Sequence, residues 1–217
     1  IGHLLSGIAH ELNNPLTAII GYAELLMKNS LAEQHKYADI VHKEAMRTKS
    51  LVSNLLSFSR KHELEKKPID LNEVIEHSLQ LIEYEFNIHN IQYSKDLTSS
   101  SLIVEGDFFR LQQVILNLLN NAGNAIAQNQ KEDKEIKVKT WIENHFIYIS
   151  IEDTGIGITA ENLKKIFDPF FTTKPIGKGT GLGLSLSYGI VKEHGGDIQV
   201  TSVLSKGTTF TLLFPYI

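Results

Sequence analysis

The hydrophobic period of this chain changes once, at a charged stretch that ends in proline, and that change dictates its architecture. Before "RKHELEKKP" (Arg60–Pro68) the apolar residues recur with helical spacing; beyond it, short segments alternate with period two. Residues 2–29 and 33–61 read as long helices. With about 100° per residue and Ile8 at zero, Leu4, Leu5, Leu12, Leu16, Ile19, Ala23 and Leu26 share a stripe about 120° wide. Tyr37, Ile40, Val41, Met46, Leu51, Val52, Leu55 and Phe58 form a looser face on the second helix. The polar "KNSLAEQ" between them suits an antiparallel hairpin. Two helices cannot bury both stripes, so a dimer forming a four-helix bundle is expected.

Arg60–Pro68 reads as a linker. After it, Ile91–Leu97, Ser101–Gly106, Glu135–Ile142, Phe146–Asp153, Asp197–Val203 and Thr208–Phe214 read as strands, with Asn144-His145 as a tight connection. Residues 71–87, 107–128 and 182–194 fit helices. Such interspersion predicts a two-layer α/β sandwich with helices on one face of a sheet.

Composition narrows the function. Lys+Arg 21 against Asp+Glu 25 leaves a formal charge of −4, which argues against nucleic acid as the main partner. The absence of cysteine excludes disulfides, thiolate zinc sites and a cysteine nucleophile, and fits a reducing compartment. No apolar run is long enough to span a bilayer, and no signal peptide is visible. This portion is expected to be cytoplasmic. The chain opens on Ile1 rather than Met, which suggests a fragment of a longer protein, with any sensory or membrane part outside it.

Three polar constellations carry chemistry. In "GIAHELNNPL" (Gly7–Leu16), His10 falls about 200° from Ile8, nearly opposite the apolar stripe, and Asn14 lies about 40° from His10. A lone histidine is usually an ordinary surface residue, but the wheel excludes a core role here. Pro15 should kink the helix one turn past His10, since it lacks an N–H and crowds the Glu11 carbonyl. In "DFFRLQQVILNLLNNAGNAIAQN" (Asp107–Asn129), Leu111, Val114, Ile115, Leu118, Leu119, Ala122 and Ile126 make one face. Asn117, Asn121 and Asn124 cluster within about 60° on its flank. Carboxamide oxygens are hard ligands suited to Mg²⁺ shared with phosphates. Asp107 reads equally as a helix cap.

The third constellation is glycine-rich. "DTGIGI" (Asp153–Ile158) follows a strand, and "GKGTGLGLSLSYGIVKEHGG" (Gly177–Gly196) opens a helix. Either could be a plain turn, or a place where backbone approaches a phosphate. Gly179 stands where a P-loop needs Ser or Thr, and no acidic ribose residue supports a dinucleotide fingerprint. Between them "IFDPFFTTKPIGKG" (Ile166–Gly179) has the composition of a mobile lid with a hydrophobic anchor.

Taken in order, "AHELNNPL", "NLLNNAGNA", "DTGIGI", "FDPFF", "GTGLGLSL" and "SKGTTFTLLFP" resemble the catalytic core of sensor histidine kinases of two-component systems. "FDPFFTTKP" is most similar to the nitrogen-regulation and sporulation branches. The second half alone fits the wider superfamily of gyrase, mismatch-repair ATPases and the large heat-shock chaperone.

The resemblance implies a hairpin over residues 1–62, a linker over 63–68 and an ATP-binding domain over 69–217 with a mixed sheet of the gyrase/histidine-kinase type. It implies His10 as phosphoacceptor, Glu11 as the base taking its proton, and Asn14 as the carboxamide orienting water against the partner's phospho-aspartate. It implies Asn121 as the Mg²⁺ ligand, with Asn117 on the phosphate side and Asp153 receiving the adenine amino group. Thr208 supplies a hydroxyl near adenine, working through water. Gly155, Gly157, Ile158, Phe167, Gly179, Thr180, Gly181, Leu182, Gly183 and Leu184 shape the pocket and lid. Asn124 and Ala125 stand where some relatives carry Lys and Tyr, so a cationic phosphate contact is sought at Lys174 or Lys178.

ATP and Mg²⁺ are the implied cofactors; a homodimer and a response regulator receiver domain are the implied partners. The alternatives are a nucleotide-gated clamp, in which His10 is incidental, and a non-catalytic scaffold binding a receiver domain.

Overall fold

The computed structural model describes residues 14–26, 34–42, 44–45, 48, 67–129, 134–174 and 179–216. His10, Glu11, Lys178 and the bend expected at the Glu11–Pro15 turn lie outside the described residues. Two compact units are present: Ile1–His62 with Thr172–Leu182, and Glu63–Phe171 with Gly183–Ile217.

In the first unit, residues 14–26 (α1) and 34–42 (α2) are helical, as are 44, 45 and 48. The Tyr22 and Tyr37 rings stack with centroids 5.9 Å apart, linking the two helices. Ile19, Ala23 and Leu26 are half-buried, whereas Leu16, expected in the same stripe, is exposed along with Ile20 and Leu25. One hairpin has too little surface to cover both sides of a leucine-rich helix.

The second unit runs β1 (Lys67–Asp70), α3 (Leu71–Ile88), β2 (Gln92–Asp96), β3 (Ile103–Gly106), α4 (Phe108–Ala127), β4 (Glu135–Glu143), β5 (Phe146–Asp153), α5 (Ala160–Leu163), α6 (Gly183–Glu193), β6 (Asp197–Val203) and β7 (Gly207–Pro215). Its main sheet has the order β2-β4-β5-β7-β6. The β2–β4 pair is parallel and the others are antiparallel, so the sheet is mixed, as the resemblance implied. Asn144 and His145 both have positive φ, at 48° and 65°, which gives the β4–β5 hairpin the twist of its strands. Each long helix starts on an aspartate. Asp70 accepts from the Asn72 N–H, and Asp107 accepts from those of Phe109 and Arg110.

Leu111, Val114, Ile115, Leu118, Leu119, Ala122 and Ile126 of α4 are all buried, as their spacing predicted. They pack with Ile136, Val138, Ile147, Ile149, Ile151, Phe210, Leu212 and Phe214 of the sheet in one core. Helices α3 and α6 flank α4. This packing fixes α4 beside the ends of β5 and β7, where the site lies.

Two features depart from the sequence reading. Lys67 and Pro68 belong to β1, paired antiparallel with β3, rather than to a linker. A two-stranded sheet tolerates proline because much of its edge is unpaired. Helix α5 is the second; a single turn, capped by the Thr159 hydroxyl on the Asn162 N–H, leaves almost no periodicity to read.

Candidate nucleotide site

Asp153 ends β5 and lies opposite Thr208 of β7, which in turn lies opposite Ser202 of β6. Asp153 is only 5% exposed. Burial raises its carboxyl from 3.8 to about 6, while the backbone N–H groups of Gly155 and Thr208 hold it down. The Gly155 N–H bond to Oδ1 is 2.8 Å. The result is an acceptor fixed at the end of β5.

The glycines let the following loop pack closely beside it. A Cβ on Gly155 would meet Ala125 Cβ at 2.6 Å and Asp153 Oδ1 at 2.7 Å. Gly157 has φ +71°, and a Cβ there would collide with the Val203 carbonyl. The following loop is tied down by backbone bonds from Ile156 N to Ala125 O at 3.2 Å and from Ser205 N to Ile156 O at 2.7 Å. Asn129 Nδ2 donates to the Thr154 carbonyl at 2.8 Å, closing the end of α4 onto the same loop.

At the other end of the row, Asn117 Nδ2 donates to Ser187 Oγ at 2.9 Å. Its Oδ1 fills the space that a side chain on Gly183 would need. Asn121 lies one turn further along α4, half-buried, and its carboxamide makes no hydrogen bond among the described residues. Asn117, Asn121 and Ala125 are spaced i, i+4 and i+8, so about 12 Å of α4 connects the Gly183 end to the Gly155–Asp153 end. Asn124 is not part of this row. It is exposed, and its Nδ2 donates to the Asn120 carbonyl at 2.6 Å.

The remaining predicted residues divide between the two units. Ile158, Phe167 and Leu184 pack half-buried against the core of the second unit. Phe167 also lies 5.3 Å from the Tyr188 ring. In the first unit, Gly179 folds against Thr172 and Lys174; a Cβ there would meet Thr172 Oγ1 at 2.6 Å. Thr180 Oγ1 accepts from the Leu182 N–H, Leu182 is buried, and Gly181 takes φ +64°. Burial lowers the Lys174 ammonium below the usual lysine range.

Sequence reasoning missed Ser187 and Ser202. Neither carries a motif signature, and both act on residues distant in sequence.

The residues present fit a purine nucleotide with a divalent ion. A buried carboxylate stands at one end, and an uncommitted carboxamide oxygen, a donor suited to a divalent ion shared with phosphate, lies along the same helix. The model of the histidine kinase-, DNA gyrase B- and HSP90-like ATPases matches residues 106–217, and that of the His Kinase A (phospho-acceptor) domain matches residues 1–64. The chain belongs to the sensor histidine kinases of two-component systems.

It is 42% identical over 217 residues to the sensor histidine kinase ZraS of Escherichia coli (strain K12), covering 99% of this chain and 45% of ZraS. Sporulation kinase E of Bacillus subtilis (strain 168) is 32% identical, covering 99% of this chain and 28% of that protein. The chain thus spans less than half the length of these curated relatives. Among solved structures, histidine kinase ThkA in complex with response regulator protein TrrA matches with a TM-score of 0.81 and 30% identity, over 100% of this chain and 62% of that chain. The catalytic domain of ThkA alone gives 0.60 and 32%, over 71% of this chain and 96% of that one.

Proposed function

We propose that this chain binds ATP between α4, the Asp153–Ile158 loop and α6, phosphorylates its own His10, and passes the phosphoryl group to an aspartate of a response regulator. The observation that carries the reading is the buried Asp153 carboxylate, held by the Gly155 N–H and joined by α4 to the Asn117–Asn121 row. His10, within the matched phospho-acceptor segment, is the natural recipient. The ThkA–TrrA complex supports a receiver domain as partner.

In this reading Asp153 accepts from the adenine amino group, and Thr208 assists beside it. Asn121 holds Mg²⁺ by its carboxamide oxygen, with Asn117 alongside. The bound ion would neutralise phosphate charge and orient the terminal group. His10 Nε2 forms a P–N bond as the bridging β–γ P–O bond breaks and ADP departs, while Glu11 takes the imidazole proton. Residues 1–62 supply the phosphoacceptor hairpin and dimer interface, and the nucleotide domain takes in β1 from Lys67 onward, which shortens the expected 63–68 linker. This portion works in the cytoplasm, where ATP is available. Lys174 or Lys178 meets the phosphates from the lid.

Asn14, helical and exposed, supports a second activity: orienting water against the regulator's phospho-aspartate. Asn14→Ala should slow release of phosphate from the phosphorylated regulator and spare labelling of the kinase. Equal release by variant and wild type would refute that role.

The test of the main reading is incubation with Mg²⁺ and ATP labelled in the γ-phosphate. Label on the protein that is acid-labile, alkali-stable and lost in His10→Gln supports it. ATP turnover without protein labelling would favour the nucleotide-gated clamp.

A further inference from the structure

Helix α3 carries a stripe of apolar side chains that the described residues of its own unit leave exposed. Leu81, Tyr84 and Ile88 are 64%, 78% and 57% exposed. Their spacing, i, i+3 and i+7, sets them on one face of the helix, away from the buried Leu79, Ile82 and Phe86. The stripe continues through exposed His77, one turn before Leu81, whose ring meets Phe108 edge-on at 5.5 Å. Phe108 in turn meets Phe109 edge-on at 5.6 Å, and Phe109 is 77% exposed. From His77 to Ile88 the ridge runs about 17 Å along α3.

The charge around this ridge has one sign. Helix α3 holds Glu73, Glu76, Glu83 and Glu85 and neither lysine nor arginine. Glu76 is engaged by Lys95, and Glu83 accepts from the Tyr93 hydroxyl. Glu73 and Glu85 have no ion-pair partner among the described residues. Glu85 lies one turn from both Leu81 and Ile88, and Glu73 lies one turn from His77, so a carboxylate stands near each end of the ridge. Arg110, the single cation of α4, is committed to Glu193 of α6. Such a surface repels phosphate backbones and anionic lipid headgroups. A second copy meeting it across a two-fold axis would set these carboxylates against themselves.

We propose that the α3 ridge docks a cationic amphipathic helix of a partner protein, whose apolar side chains pack on Leu81, Tyr84 and Ile88 while lysines or arginines at its margins meet Glu73 and Glu85. Apolar rows at this spacing are what one helix packs against another. The flanking carboxylates select the sign of the partner's charge. Helix α4 separates this surface from the asparagine row. Its Gly123 lies against α3, where a Cβ would stand 3.3 Å from the Phe86 ring, whereas Asn117 bonds Ser187 of α6. A helix on α3 therefore leaves Asn117 and Asn121 uncovered, and the surface works independently of what the site beside α6 binds.

The test titrates the isotope-labelled whole chain with a synthetic amphipathic helix of leucine and lysine, followed residue by residue by NMR. Backbone signals of α3 and of Phe109 should shift and saturate. The same peptide with glutamate in place of every lysine should bind there about tenfold more weakly, and added salt should weaken the lysine peptide. Leu81→Glu combined with Ile88→Glu should abolish the α3 shifts, and Glu85→Lys should weaken the peptide several-fold. All three positions are exposed, so the variants should keep the wild-type unfolding transition. No shift on α3, equal binding of the glutamate peptide, or shifts that survive the double substitution would overturn the inference. So would assembly of the wild type beyond a dimer that the double substitution abolishes, since the occupant would then be a second copy.

Discussion

Replacing Asp153 by Asn should make the nucleotide unit more stable while removing its grip on adenine. Asp153 is raised from 3.8 to about 6, chiefly because burial penalises the charged form. At 1.36 kcal/mol per pH unit, keeping that carboxylate ionised in the folded state costs about 3 kcal/mol at pH 8. The folded protein binds the proton more readily than the unfolded chain does. Stability is therefore lost as pH rises from near 3.8 through about 6.

An asparagine has no charge to desolvate. Its Oδ1 can still accept from the Gly155 and Thr208 N–H groups that now meet the carboxylate. Asp153→Asn should gain about 1–3 kcal/mol at pH 8 and roughly half as much at pH 5. Urea unfolding at the two pH values reads this directly. Trp141, the only tryptophan in the chain, stacks on Tyr148 at 5.0 Å within the same sheet and reports on this unit. ATP binding, measured alongside, should be lost. A variant less stable than wild type at pH 8, or a difference that does not change with pH, would refute burial as the dominant cause.

Other perturbations follow from the same geometry. Gly155→Ala places a methyl 2.6 Å from Ala125 Cβ and 2.7 Å from Asp153 Oδ1. It should destabilise by about 1–3 kcal/mol in denaturant melts and weaken ATP binding at least tenfold. His194 is 7% exposed, holds the Asp107 N–H on Nε2 at 3.0 Å and contacts the Ile190 carbonyl through Nδ1 at 2.7 Å. His194→Ala leaves a cavity and a buried donor, so the unfolding free energy should fall by about 2–4 kcal/mol. Asn121→Asp should depress autophosphorylation and alter the Mg²⁺ concentration it requires; unchanged kinetics would remove Asn121 as the metal ligand.

How far the sequence anticipates this molecule depends on where the information lies. Helix α4 is legible because seven apolar residues at helical spacing all have one core to face, and all seven are buried. Strands β4 to β7 are legible because alternation survives over seven or more residues each. Strand β1 is not, since four residues with a proline at the second carry no period, whereas its partner β3 lies within the Ser101–Gly106 segment that reads as a strand. Leu16 is exposed on the single hairpin, since a helical wheel ranks faces without saying which one a second copy covers.

Within the site, Asp153, Gly155, Gly157 and Gly183 are read from their motifs, and the structure gives each a steric or hydrogen-bonding reason. Asn124 shares the sequence spacing of the asparagine row, but its amide bonds the helix backbone instead. Ser202 is invisible to motif reasoning, because its partner Ile158 lies 44 positions away and meets it only through the fold.

The central claim is that His10 receives the γ-phosphoryl group of ATP bound in this pocket. The most direct measurement is phosphorus NMR of the chain after reaction with Mg²⁺ and ATP. Wild type should show a phosphoramidate resonance at histidine Nε2 that is absent from both His10→Gln and Asp153→Asn. A phosphoramidate signal persisting in His10→Gln, or none in wild type despite ATP consumption, would contradict it.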